Sequence, residues 1–157
     1  MDILKLVKEK EEKVIKIRRD LHQIPELELE LPKTMEYISK VLDEIGVNYK
    51  KLLNGNAIVV QIDGEQKSKC IAIRADSDAL PVVEKTGLSF ASTNGNMHAC
   101  GHDGHTAMAL GACMILNENR DKLKGTVKIF FQPGEETPGG ALPMIEEGCM
   151  ENPKVDA

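Results

Sequence analysis

CIAIRADSDALP, residues 70–81, is the stretch whose reading decides the fold class. Its first six residues carry few polar side chains and read as a central, well-buried strand. Asp76 and Asp78 stand just past the end of that strand, where α/β folds place their chemistry. Asp76-Ser77-Asp78 also reads as a capped turn ahead of Pro81, and the sequence alone leaves both readings open.

Working outward, VNYKKLL (47–53) and AIVVQI (57–62) read as strands separated by Asn54-Gly55-Asn56. The spacing predicts an antiparallel hairpin of AIVVQI with CIAIRA around Asp63-Gly64. TVKIFFQ (126–132) is a second buried strand, ending at Pro133-Gly134. Upstream, Ile3, Val7, Val14, Ile17, Leu21 and Ile24 recur at threes and fours, broken only at Lys10, as one face of a long helix that Pro25 stops. That face reads as core packing; a coiled-coil seam needs more heptads. Met35, Ile38, Val41, Leu42 and Ile45 share the face of a second helix between Pro32 and the stop at Gly46. Residues 82–96 read as loop, residues 102–116 as a helix, and residues 140–147 as a short helix closing at Gly148. Two helices, three strands, a helix, a strand and a helix predict a three-layer α/β fold on a mixed sheet. The closing NPKVDA reads as the start of another buried strand, as though the chain were cut there.

At 157 residues the chain is long enough for one domain with its own core. Hydrophobic residues make up 41% and aromatics 3% with no Trp, so that core must be aliphatic. A net charge of −5 leaves no basic footprint and argues against a nucleic-acid partner. No apolar run reaches membrane-spanning length, and MDILKLVKEKEEKVIK is too charged for a signal peptide, so a cytoplasmic protein without a membrane partner is expected. Cys70, Cys100, Cys113 and Cys149 then read as free thiols or ligands, and the absence of a CxxC pair disfavours a zinc ribbon.

MHACGHDGH (97–105) concentrates three of the four histidines and Cys100 in nine positions. A thiolate and imidazoles at that density suit a zinc-like ion. Cys100 and His102 are two apart, so a looped backbone aims both at one ion, with Gly101 supplying the conformational freedom. His98 and His105 are further candidates, although His105, a helical turn on, also reads as a packing or hydrogen-bonding group. Glu135-Glu136 follows the buried strand and a Pro-Gly turn. A hydrolytic site needs one group on the ion and a free carboxylate to take a proton from water, and adjacent glutamates divide those roles. A lone Glu-Glu pair is usually a solvated surface feature, but its place after FFQPG and before Gly139-Gly140 argues otherwise. A Cys100 nucleophile with His98 or His102 as base is the competing chemistry, and it leaves the glutamates unused.

RRDLHQIPELE (18–28), IRADSDALPVVE (73–84), MHACGHDGHTAMALGA (97–112) and FFQPGEETPGGALPMIEEG (130–148) resemble four segments of the metal-dependent N-acyl amino acid amidohydrolases. These include hippurate hydrolases, N-acetyl amino acid deacetylases and indole-3-acetyl amino acid hydrolases, in the metallo-aminopeptidase-like superfamily. The resemblance implies Cys100, His102 and Glu136 as ligands of a divalent ion, whether zinc, manganese, cobalt or nickel. It implies Glu135 as the general base toward water and the later proton donor to the leaving amine. Asp76 replaces the histidine of a wider His-x-Asp pair, which makes Asp76 and Asp78 groups that orient the site from outside the coordination sphere. Gly134 stands where many relatives have Ala, and Ser77 where many have an apolar residue. The implied activity is amide hydrolysis of small N-acyl amino acids by homo-oligomeric enzymes. Members run to more than twice this length, with further histidine ligands and an inserted lid that dimerises. Residues 1–157 therefore read as the N-terminal portion of the catalytic domain, truncated before the lid. The alternative is a catalytically silent fragment that binds metal weakly.

Overall fold

Helix α1 (Ile3–His22) starts where the Asp2 carboxylate accepts a hydrogen bond from the Lys5 amide at 3.2 Å. It belongs to a computed structural model that describes residues 2–66 and 68–157. The apolar face of α1 is core only in its second half: Ile17 and Leu21 are buried, whereas Val7 is 50% exposed. Helix α2 (Pro32–Ile45) has Pro32 in its first turn and ends at Gly46, whose φ of +71° is the left-handed geometry of a C-terminal glycine stop.

Strands β1 (Tyr49–Leu52) and β2 (Ala57–Asp63) form an antiparallel hairpin across the turn at 53–55, with Tyr49 opposite Val60. Strand β3 (Cys70–Asp76) comes next in the chain, but β2 and β3 do not pair. Helix α3 (His102–Glu118) intervenes, and then β4 (Thr126–Gln132) inserts between them, giving the order β1-β2-β4-β3. β4 runs antiparallel to β2 and parallel to β3. The expected hairpin around Asp63-Gly64 is thus replaced by a loop that steps across one strand position.

The burial of β3 also differs from expectation. β4 is buried at all seven residues, while Ile71 and Ile73 of β3 are 48% and 38% exposed. TVKIFFQ carries the β-branched and aromatic bulk that fills both faces of a central strand; CIAIRAD offers small residues and borders the sheet. Residues 155–157 begin to cover that border, since Asp156 N–H donates to Cys70 O and Ala72 N–H to Ala157 O, both at 2.8 Å.

Helices α1, α2 and α3 cover one face of the sheet over an aliphatic core of Leu21, Ile38, Leu42, Ile58, Leu110 and Ile129. On the other face α4 (Ala141–Glu146) sets Met144 against Val59 and Phe130. The arrangement is the expected three-layer α/β fold. Lys128, fully buried on β4, donates to the carbonyls of Cys149 and Glu151 at 3.1 and 2.6 Å and fastens the turn after α4 to the sheet. Among the described residues no helix is long and apolar enough to cross a membrane.

What positions the site is the parallel pairing. Asp76 lies opposite Gln132, so β3 and β4 end side by side and their following loops leave together. The Ser77 amide donates to Gln132 O at 2.9 Å and prolongs that contact into the loops.

Candidate metal centre

Helix α3 begins at His102 directly after Gly101, whose φ of +88° would strain any other residue. Its first turn is tied to the end of β3. The Thr106 hydroxyl donates to Asp76 O at 3.1 Å and meets Ser77 Oγ at 2.9 Å. The His102 ring is buried, and Nδ1 donates to the Asp78 carbonyl at 2.9 Å. That bond fixes the tautomer and leaves Nε2 with a free lone pair.

Three carboxylates surround that nitrogen. Asp76 Oδ1 lies at 3.7 Å, and Glu135 Oε2 and Glu136 Oε1 at 3.8 Å each. These separations are too long for hydrogen bonds and near the roughly 3.4 Å between two ligand atoms that share a tetrahedral zinc-sized ion. Cys100 Sγ, His102 and Glu136 lie within 4.8 Å of one another. Glu136 Oε1 is buried without a hydrogen-bond partner among the described residues. A buried anionic oxygen beside an imidazole lone pair and a thiol fits a divalent cation. Glu136 also pushes the exposed Cys100 thiol up from its ordinary pKa, which disfavours a free thiolate nucleophile.

Glu135 and Glu136 reach His102 because of Asp78. Its buried carboxylate accepts the Glu135 amide on Oδ1 at 3.0 Å and the Glu136 amide on Oδ2 at 3.1 Å. The capped-turn reading of Asp76-Ser77-Asp78 gives way here, because Asp78 holds a loop some 57 residues distant. Glycines shape that loop: Gly139 and Gly140 both donate to Gly134 O at 3.0 Å, and a Cβ on Gly140 would fall 1.9 Å from Pro133 O.

Asp76 is equally well held. Oδ1 accepts His105 Nδ1 at 2.5 Å, and Oδ2 faces Arg74 Nη1 at 3.2 Å. His105 therefore does hydrogen-bond, as its position one turn along α3 allowed. His98 stays apart from the cluster of ligand atoms; its ring is buried with neither nitrogen partnered among the described residues, and burial lowers its pKa to about 4. All four cysteines are free.

One buried group lies outside the sequence reading. His22 Nδ1 meets Asp103 Oδ2 at 2.7 Å and its Nε2 meets Glu84 Oε1 at 3.2 Å, with Arg18 Nε 2.8 Å from the same Asp103 oxygen. Arg18 and His22 are four apart on α1, and that spacing was the available signal.

The family model of "Peptidase family M20/M25/M40" matches residues 72–157, from the third residue of β3 through the whole candidate centre. The chain belongs to that family. This M20-family chain is 47% identical over 148 residues to the N-acetyl-L-cysteine deacetylase of Bacillus subtilis, a match that takes in 94% of the chain and 35% of the relative. It is 41% identical over 156 residues to the N-acyl-L-amino acid amidohydrolase of Geobacillus stearothermophilus, across 98% of the chain and 42% of the relative. Among solved structures it superposes on the Bacillus subtilis YXEP protein, described as a dinuclear metal-binding peptidase of the M20 family. The TM-score is 0.86 at 43% identity, covering 91% of this chain and 41% of that one. The resemblance read from the four motifs and the three-layer fold are both borne out. The M20-family chain spans well under half the length of these relatives.

Proposed function

We propose that this chain carries the water-activating half of a divalent-metal amidohydrolase that cleaves N-acyl amino acids into a carboxylic acid and an amino acid. The observation that carries the reading is the convergence of Cys100, His102, Glu135 and Glu136, with Asp78 locking the two glutamate amides into place. The amide-cleaving activities named for the relatives support the same class.

Cys100 Sγ, His102 Nε2 and Glu136 Oε1 would hold the ion. When bound, a divalent ion polarises an amide carbonyl and acidifies water. Glu135 is the free carboxylate: its side chain is 40% exposed, while that of Glu136 is 23% exposed. It takes the proton of the attacking water and returns it to the departing amine nitrogen. The Asp78 carbonyl holds the His102 proton on Nδ1, so Nε2 stays a donor of its lone pair. Asp78 and Asp76 act from outside the ligand set, Asp78 by fixing the glutamate loop and Asp76 through His105 and Arg74.

The competing reading is a metal-binding but catalytically silent chain, favoured by its spanning 35% and 42% of the two curated relatives. Adding zinc, manganese, cobalt or nickel to the metal-stripped chain and assaying N-acetyl and hippuryl amino acids separates the two. Metal-dependent release of free amino acid is the expected result, abolished by Glu135→Gln with metal binding intact. Metal binding without turnover would select the silent reading, and no metal binding at all would sink both.

A further inference from the structure

We infer, resting on the ligand set proposed above, that His22 is a positioning residue of the metal centre and couples ion binding to loop 82–96. Helix α3 starts without a capping side chain, because its N-cap residue is Gly101. Asp103 supplies an acceptor instead: its Oδ1 takes the Gly104 amide at 2.9 Å, inside the first turn. A carboxylate in that turn also meets the positive end of the helix dipole. Its other oxygen is held from α1, by His22 Nδ1 at 2.7 Å and Arg18 Nε at 2.8 Å. Cys100 and His102 flank Gly101 at this helix start, so the anchor on Asp103 sets the spacing of both proposed ligands.

The second ring nitrogen serves the loop. His22 Nε2 meets Glu84 Oε1 at 3.2 Å, and Glu84 also accepts the Thr86 hydroxyl and the Ser92 amide. Phe90 of the same loop packs edge-on to the His22 ring, with centroids 5.6 Å apart. Arg18 and Arg19 place their guanidinium groups over that phenyl ring, 5.6 and 5.2 Å from its centroid. His22 and Asp103 are both buried, where a carboxylate stripped of its partner is costly. One imidazole therefore ties the start of α3 to the carboxylate that closes the loop. An ion that orders Cys100 and His102 also orders Glu84 through Asp103 and His22. By linkage, a disordered loop weakens the ion by the same factor.

Two substitutions cut this bridge at different ends. His22→Asn places an amide nitrogen near the position of Nδ1 and keeps the Asp103 bond. His22→Gln places one near Nε2 and keeps the Glu84 bond. Competition with a chromophoric chelator reads zinc affinity, and hydrogen exchange in residues 84–96, with and without zinc, reads loop order. Zinc should slow that exchange in the native chain. His22→Asn should bind zinc within ~3-fold of the native chain yet lose the slowing, whereas His22→Gln should lose the slowing and bind zinc ~10-fold more weakly. A histidine that only supports the fold would lower the thermal midpoint without separating these two readouts. Equal zinc affinity in the two variants would overturn the positioning role. Slowing that survives in either variant, or a native loop that ignores zinc, would overturn the coupling. Far-UV circular dichroism checks folding, and Glu84→Ala repeats the loop measurement with both helices untouched. It too should abolish the slowing, and slowing that persists in it would overturn the coupling. A native chain that binds no zinc would instead remove the ligand set itself.

Discussion

Asp78 shows how one side chain turns two distant loops into a site. A carboxylate has two oxygens, and here each takes one backbone amide, from Glu135 and from Glu136, while the residue's own carbonyl orients His102. Asp78→Asn keeps the shape but replaces one acceptor by a donor facing an amide N–H. Isothermal titration with zinc should show affinity falling by ~10–100-fold, with the thermal midpoint changed far less than by a core truncation. Much of this centre was legible in the sequence, because Cys100, His102, Glu135 and Glu136 sit in short motifs whose residue types announce their chemistry. The clasp was not, since an aspartate that caps its own turn and one that caps a loop 57 residues away look alike in one dimension. His22 escaped for a related reason: its partners Asp103 and Glu84 come from other elements, and the four-residue spacing of Arg18 and His22 on α1 does not by itself mark a buried charge network.

At the scale of elements, the loop 82–96 is held to α1 through Glu84. The Thr86 hydroxyl, the Ser92 amide and His22 hold its carboxyl down to a pKa of about 2 from an ordinary 4.5. A depressed carboxyl contributes stability that is complete above its unfolded pKa and is lost as pH falls toward the folded one. Hydrogen exchange in residues 84–96 should accelerate between about pH 4.5 and 2, and Glu84→Gln should remove that dependence. The glutamate loop depends on shape instead. Gly140→Ala would place a methyl 1.9 Å from Pro133 O, and backbone cannot move aside as a side-chain tip can. A loss above ~1 kcal/mol in denaturant unfolding is expected, together with weakened zinc binding. Helix boundaries were readable because Pro32 and Gly46 punctuate the chain. Strand partners were not. The Asp63-Gly64 turn is compatible with a hairpin, and only the burial of β4 on both faces explains why β2 and β3 stand apart.

At the scale of the whole chain, β3 is one of the two strands that border the sheet among the described residues. Ile71 and Ile73 are partly exposed there, and residues 155–157 bond to it only at Cys70 and Ala72. Exposed apolar strand borders template pairing with other chains. Ile73→Lys should reduce concentration-dependent light scattering, with a thermal midpoint close to that of the native chain. The fold class was readable from the alternation of element types, but which strand borders the sheet depends on packing between segments more than fifty residues apart.

The insertion of β4 between β2 and β3 also sets an order of assembly. When the first 76 residues have left the ribosome, β2 and β3 have no common partner, and a strand-wide gap separates them. Contacts across such a sequence distance form late, because closing the loop costs entropy before pairing repays it. Glu135 and Glu136 follow the end of β4 by only three and four residues, so the segment that fills the gap also delivers both glutamates to His102. Filling of the gap between β2 and β3 and arrival of Glu135 and Glu136 beside His102 are one event in biosynthesis, and the cluster proposed to hold the ion is not assembled until β4 is in place.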